Sequence, residues 1–122
     1  MHGRIPLWWS MGAWAAMAAV TWICLWPRPP ASPLPSDKLD HLAAFCVLGM
    51  LMACGRRHPW AWLLGVGMWG GVIELGQGLT GRHGDVLDWL ADLAGAMLGG
   101  VALVLPPGAW LHRRWRPNPG GA

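Results

Sequence analysis

The chain has 122 residues, room for one domain, and is 54% hydrophobic and only 12% charged. A soluble domain carries about 25% charged residues, so the deficit excludes an ordinary water-facing surface. The net charge is +3, but the Lys and Arg residues stand in ones, twos and threes between apolar runs. That pattern excludes a nucleic-acid surface and is the one that orients helices in a membrane. There are eleven Trp, no Tyr and one Phe, and Trp suits the headgroup boundary.

Taken in chain order, Leu7 to Trp26 is the first apolar run and holds no charge. As a helix it spans about 30 Å, the thickness of a hydrocarbon core. A signal peptide would have a shorter apolar region ending at a small-residue cleavage site. Here Trp26-Pro27-Arg28-Pro29-Pro30 follows instead, so an uncleaved spanning helix over 7–26 is expected. Residues 27–35 hold five prolines and form an extended linker. Ser36 caps a second helix over 37–55, with Asp37 favourable in its first turn. Its uncharged part, Leu42 to Gly55, spans only if Asp37, Lys38 and Asp40 reach the headgroups. Arg56-Arg57-His58-Pro59 ends it, and a third helix is expected over 60–79, interrupted by Glu74 and Gln77. A turn at 80–84 leads to a fourth helix over 85–105, stopped by Pro106-Pro107-Gly108. The tail 108–122 is expected to be disordered. Cys24, Cys46 and Cys54 lie within apolar runs and read as small buried hydrophobes. No CxxC or zinc spacing occurs.

The expected architecture is therefore an all-α bundle of four transmembrane helices in one domain. Arg4, Arg56, Arg57, Arg113, Arg114 and Arg116 fall on one side, and Arg28, Lys38 and Arg82 on the other. This bias places both termini in the cytoplasm. Trp8, Trp9, Trp60, Trp62 and Trp110 then mark the inner boundary, and Trp26 and Trp89 the outer. All six acids (Asp37, Asp40, Glu74, Asp85, Asp88 and Asp92) lie at or towards the outer face, with His41, Gln77, Lys38 and Arg82.

An acid inside a bilayer costs about 2.5–3.5 kcal/mol on insertion scales. Glu74 and Asp92 each sit roughly 7.5 Å into their helices, so both should face the bundle interior. Asp88, Asp92, Gly95 and Gly99 share one helix face. They run into Ala91-xxx-Gly95-xxx-Gly99, a small-residue seam. Gly67, Gly71, Glu74 and Gly78 make a similar face, with Gln77 beside it, and Asp37 and His41 are one turn apart. Three helices thus aim polar groups at one outward-opening pocket. Blander roles compete. Asp85 and Asp88 resemble a helix cap, and Asp37 and Asp40 complement a helix dipole. Arg82 is a solvated loop residue or a partner for Asp85. Glu74, Gln77, Asp92 and His41 serve equally as interhelical glue.

Asp37-Lys38-x-x-His41-x-x-Ala44-Phe45-x-x-Leu48-Gly49 resembles the first motif of the VanZ-like family. Glu74-x-x-Gln77, Arg82-x-x-Asp85-x-x-Asp88 and Gly95-Ala96-x-x-Gly99 resemble its second. The likeness covers about residues 36–100. It departs at Asp92, where the family usually has Asn, which adds a negative charge. The family is named for a membrane protein associated with low-level resistance to the glycopeptide teicoplanin. The resemblance implies a small multi-spanning protein of the bacterial cytoplasmic membrane, with Asp37, Lys38, His41, Glu74, Gln77, Arg82, Asp85 and Asp88 as motif residues. It carries no reaction with it.

Three activities follow from the residues. In the first, the pocket recognises a lipid-linked or cell-wall headgroup, with Lys38 and Arg82 on phosphate oxygens. Asp37, Gln77, Asp85 and Asp92 then bind amide or sugar groups. The second is a membrane-embedded hydrolase or transferase acting on a lipid phosphate or pyrophosphate. Its catalytic residues are His41, Glu74 and Asp88. A divalent metal is its candidate cofactor, held by His41, Glu74, Asp88 and Asp92. Alternatively His41, oriented by Asp37, is a general base. The third is a small transporter or proton relay, supported by the intramembrane acids and opposed by the lack of a polar path through the cytoplasmic halves. The expected partners are membrane lipids.

Overall fold

The computed structural model describes residues 4–28, 31, 33–117 and 120. They form five helices and no strand: α1 (Leu7–Leu25), α2 (Asp37–Ala53), α3 (Pro59–Gln77), α4 (Val86–Ala102) and α5 (Gly108–Trp115). The starts of α2, α3 and α4 have local causes. The Ser36 hydroxyl accepts from the Leu39 N–H at 3.3 Å, with Asp37 and Asp40 in the first turn of α2. Pro59 opens α3, where its missing N–H costs nothing. The Asp85 carboxylate accepts from the Leu87 N–H at 2.8 Å and caps α4. The second helix stops at Ala53, short of its expected end, because Gly55 takes φ 72° and reverses the chain.

The core is built around α2 and α4. A Cβ on Gly95 would run into the carbonyl oxygen of Leu42, and one on Gly99 into that of Cys46. Those obstacles are backbone and cannot swing aside, so only glycine lets the two helices approach this closely. Phe45, Leu48, Met52, Val66, Ile73 and Ala96 fill the space between α2, α3 and α4. The helix α1 leans on this core with Ala13 buried and Ala16, Met17 and Val20 partly covered.

The outer surface is apolar. Trp8, Met11, Trp14 and Trp22 on α1 are exposed, as are Leu64, Met68 and Val72 on α3 and Leu90, Leu98 and Val101 on α4. Leu75 is 81% exposed. A chain dissolved in water rarely leaves so continuous an apolar surface open. Among the described residues, α1 is the one helix long and apolar enough to cross a membrane.

Three indoles tie helices together. The Trp9 N–H donates to the Leu51 carbonyl at 2.9 Å, and that of Trp69 to the Thr21 hydroxyl at 2.9 Å. The Trp89 N–H donates to the Gly67 carbonyl at 3.0 Å. The polar atom of Trp89 is thus spent on α3.

The expected disorder over 108–122 is corrected for its first part, because residues 108–115 are helical. The arginine run looks solvated in sequence, but Ala109 and Trp115 are buried. Trp115 packs with Ala53, Cys54, Leu63 and Leu103 and meets Trp9 edge-on, ring centroids 4.7 Å apart. The His112 ring accepts the Gly55 N–H on Nδ1 at 2.9 Å. Residues 118, 119, 121 and 122 lie outside the described residues.

Candidate functional site

The chain runs up and down so that the ends of α1 and α3 meet the starts of α2 and α4. Glu74 in the last turn of α3 and Asp92 in the second turn of α4 therefore converge on His41, in the second turn of α2. His41 Nδ1 and Asp92 Oδ1 share a 2.7 Å hydrogen bond in the interior. Glu74 Oε1 stands 3.9 Å from the same nitrogen, and Asp88 Oδ2 stands 4.0 Å from His41 Nε2. A carboxylate at Asp92 requires the proton on Nδ1. Phe45 stacks one turn below, its ring plane within 7° of the imidazole.

Burial gives this cluster its character. Asp92 is 0% exposed, and Glu74 is 9% exposed. One oxygen of each is spent: Asp92 Oδ1 on His41, and Glu74 Oε2 on the Asp85 backbone N–H at 2.8 Å. Glu74 Oε1 and Asp92 Oδ2 are buried with no hydrogen-bond partner among the described residues. A buried unsatisfied polar atom costs about 1–3 kcal/mol, more for a charged group, so their retention calls for an explanation. Two glycines make the room. A Cβ on Gly70 would strike the Asp92 carboxylate, and one on Gly84 would strike the Glu74 carbonyl oxygen. His41, Glu74 and Asp92 each offer a ligand atom, all within 4.8 Å of one another. That is a donor set of one imidazole and two carboxylates, suited to a divalent ion.

A rim lies outside the cluster. Lys38 Nζ is 3.3 Å from Asp85 Oδ2 and 3.3 Å from Asp88 Oδ1, joining the first turn of α2 to that of α4. The Leu87 N–H that Asp85 caps, with Lys38 beside it, holds the Asp85 carboxyl below the usual carboxylate range. Beside the rim, a cavity of about 520 Å³ opens between the end of α1 and the start of α2. Its polar lining is Asp37, Asp40, His41 and Arg82, and its apolar lining includes Val20, Ile23, Ala44 and Phe45. His41 is thus the wall between this open cavity and the buried acids.

The sequence-expected residues divide accordingly. His41, Glu74, Asp88 and Asp92 come together, and Asp37 and Arg82 line the cavity. Lys38 and Asp85 pair with each other at the rim. Gln77 and Arg82 do something spacing did not reveal: Gln77 Nε2 donates to the Cys24 carbonyl at 3.2 Å, and Arg82 donates to the same oxygen. They clamp one of the carbonyls left open at the end of α1, where a cation also meets the negative end of the helix dipole. Arg82 therefore has a backbone partner rather than the Asp85 carboxylate considered from the sequence. The residue that orients His41 is Asp92, from another helix, not Asp37 one turn away. Gly70 and Asp40 were missed as parts of the site; the first is visible only once α3 faces α4.

Comparison with known protein families, with curated proteins and with solved structures gives no match.

Proposed function

We propose that the protein is a VanZ-like membrane protein of the bacterial cell envelope with four spans and both termini cytoplasmic. Its outward pocket recognises the headgroup of a lipid-linked or cell-wall precursor. The spans α2, α3 and α4 have 17, 19 and 17 residues, about 25–29 Å of helix, and the exposed apolar side chains form their lipid-facing surface. The observation that carries the recognition reading is the cavity itself. It joins an apolar wall from α1 and α2 to Asp37, Asp40, His41 and Arg82 at one end, an amphipathic shape that fits a headgroup and the start of its chain. A protein that holds such a headgroup alters how a glycopeptide such as teicoplanin reaches its target.

Native mass spectrometry of the detergent-purified chain tests this reading. A co-purifying lipid-linked species should be retained by the parent and lost from Arg82→Gln and His41→Ala chains that still melt cooperatively. Equal retention in all three would exclude the pocket. Reporter fusions test the topology: those at residue 56 and at the C-terminus should report cytoplasm, and those at residues 32 and 82 the outside.

A second reading is a metal-dependent hydrolase or transferase acting on a lipid phosphate or pyrophosphate. It is favoured by one observation, the unpartnered Glu74 Oε1 and Asp92 Oδ2 beside His41. His41, Glu74 and Asp92 would hold a divalent ion, which would supply Lewis acidity and an activated water. Elemental analysis of chain loaded with zinc or manganese should find about one ion per chain, lost in Glu74→Gln. Chain without metal before and after loading would remove this reading and leave recognition standing.

A further inference from the structure

The opposite end of the bundle holds a second cavity, of about 550 Å³, between the start of α3, the end of α4 and α5. Arg57, Arg113 and Arg116 line it on the polar side, and Leu63, Leu103 and Val104 on the apolar side. We propose that this cavity binds the phosphate headgroup of an anionic phospholipid, with the start of its acyl chain against the apolar side.

Charge carries the argument first. The six acids are all placed at the other end of the helices, and no carboxylate among the described residues pairs with these three arginines. Their neighbours are occupied: Arg56 lies over the Trp62 ring at 4.1 Å and Arg114 over Trp110 at 5.3 Å. Arg57, Arg113 and Arg116 are thus cations gathered on one cavity with no counter-charge among the described residues. Burial, and then Arg116 and Arg113, hold the His112 imidazole below its usual range. The field that disfavours a proton there favours an anion. Guanidinium groups bind phosphate through paired N–H donors.

Shape decides between a lipid and a free ion. Val104 is 69% exposed, and Val101 and Leu105 beside it are exposed too, so the apolar wall runs out into the outer apolar surface. A free phosphate has no use for that wall; an acyl chain does. Basic pockets between helices on the cytoplasmic side hold anionic headgroups in this way. The inference rests on the membrane reading above, but not on the pocket around His41.

The experiment is native mass spectrometry of the full chain in micelles with equal phosphatidylglycerol and phosphatidylcholine. Phosphatidylglycerol should be bound in about tenfold preference. The preference should vanish in the Arg57→Gln, Arg113→Gln, Arg116→Gln chain. Val104→Trp, which fills the cavity and leaves every charge in place, should also lower it. No preference in the parent, or a preference unchanged in Val104→Trp, overturns the proposal. Displacement of the lipid by equimolar inorganic phosphate overturns its lipid part and leaves an anion site. Carbonate extraction separates the two readings. Chain washed off membranes refutes the spanning fold itself, whereas retained chain without lipid preference refutes this site alone.

Discussion

At one end of the bundle, carboxylates from α3 and α4 surround a single histidine from α2. At the other end, arginines from α5 and the α2–α3 turn stand around an open cavity, and one histidine, held below its usual range by burial and by those arginines, accepts a backbone N–H. The first end is knitted from helices far apart in sequence. The second depends on α5, a short helix added after the bundle and pinned by one indole. Removing a group from the first should disturb the whole fold, and from the second only the local dock.

The largest effect is expected at Asp92. Asp92→Ala leaves His41 buried without its partner and should cost about 3 kcal/mol or more, read as loss of cooperative melting in detergent. Asp92→Asn keeps an acceptor for the ring N–H and should cost about 1 kcal/mol; equal losses for the two would show that charge rather than the hydrogen bond holds the cluster. Next, Gly70→Ala pushes a methyl against the Asp92 carboxylate and should cost about 1–3 kcal/mol by overpacking. Gly65→Ala on the same helix, with open space around it, should be neutral.

At the basic end, Trp115→Ala removes the pin of α5. Trypsin should then cut at Arg113 and Arg114 in the folded chain, while the bundle melts within a few degrees of the parent, because local opening leaves the core packed. A fall as large as that of Asp92→Ala would end the contrast between the two ends.

A pH scan gives a smaller effect. The folded pKa of His112 lies below its ordinary 6.5, so the unfolded chain takes up the proton first. The docking of α5 is then fully supported above about pH 6.5 and weakens as pH falls below it. Protonation also removes the acceptor of the Gly55 N–H. Hydrogen exchange at the Gly55 amide should therefore quicken, relative to its intrinsic rate, between pH 7 and 5, and His112→Gln should flatten the trend. The smallest effect is expected for Lys38→Met at the exposed rim, whose ion pairs are open to solvent. Its melting temperature should not change measurably.

Much of the framework was legible in the chain. Long uncharged runs, the Ser36 and Asp85 caps and the proline breaks are local signals, and helices form from local hydrogen bonds. The shared face of Asp88, Asp92, Gly95 and Gly99 followed from the helical repeat. The last helix was misread, because three arginines dominate its composition. Its buried Trp115 packs against Gly55, Trp9 and Leu63, which are distant in sequence.

What the sequence by itself determined is that six acids must collect at one end of four apolar helices, since burying a charge in an apolar run is costly wherever the chain leads. Tertiary structure alone decided which acid meets His41. Asp37 is its neighbour along the helix, yet Asp92, from a helix 51 positions on, reaches it. Gly95 and Gly99 let α4 lie against α2, and Gly70 leaves the space that the carboxylate fills.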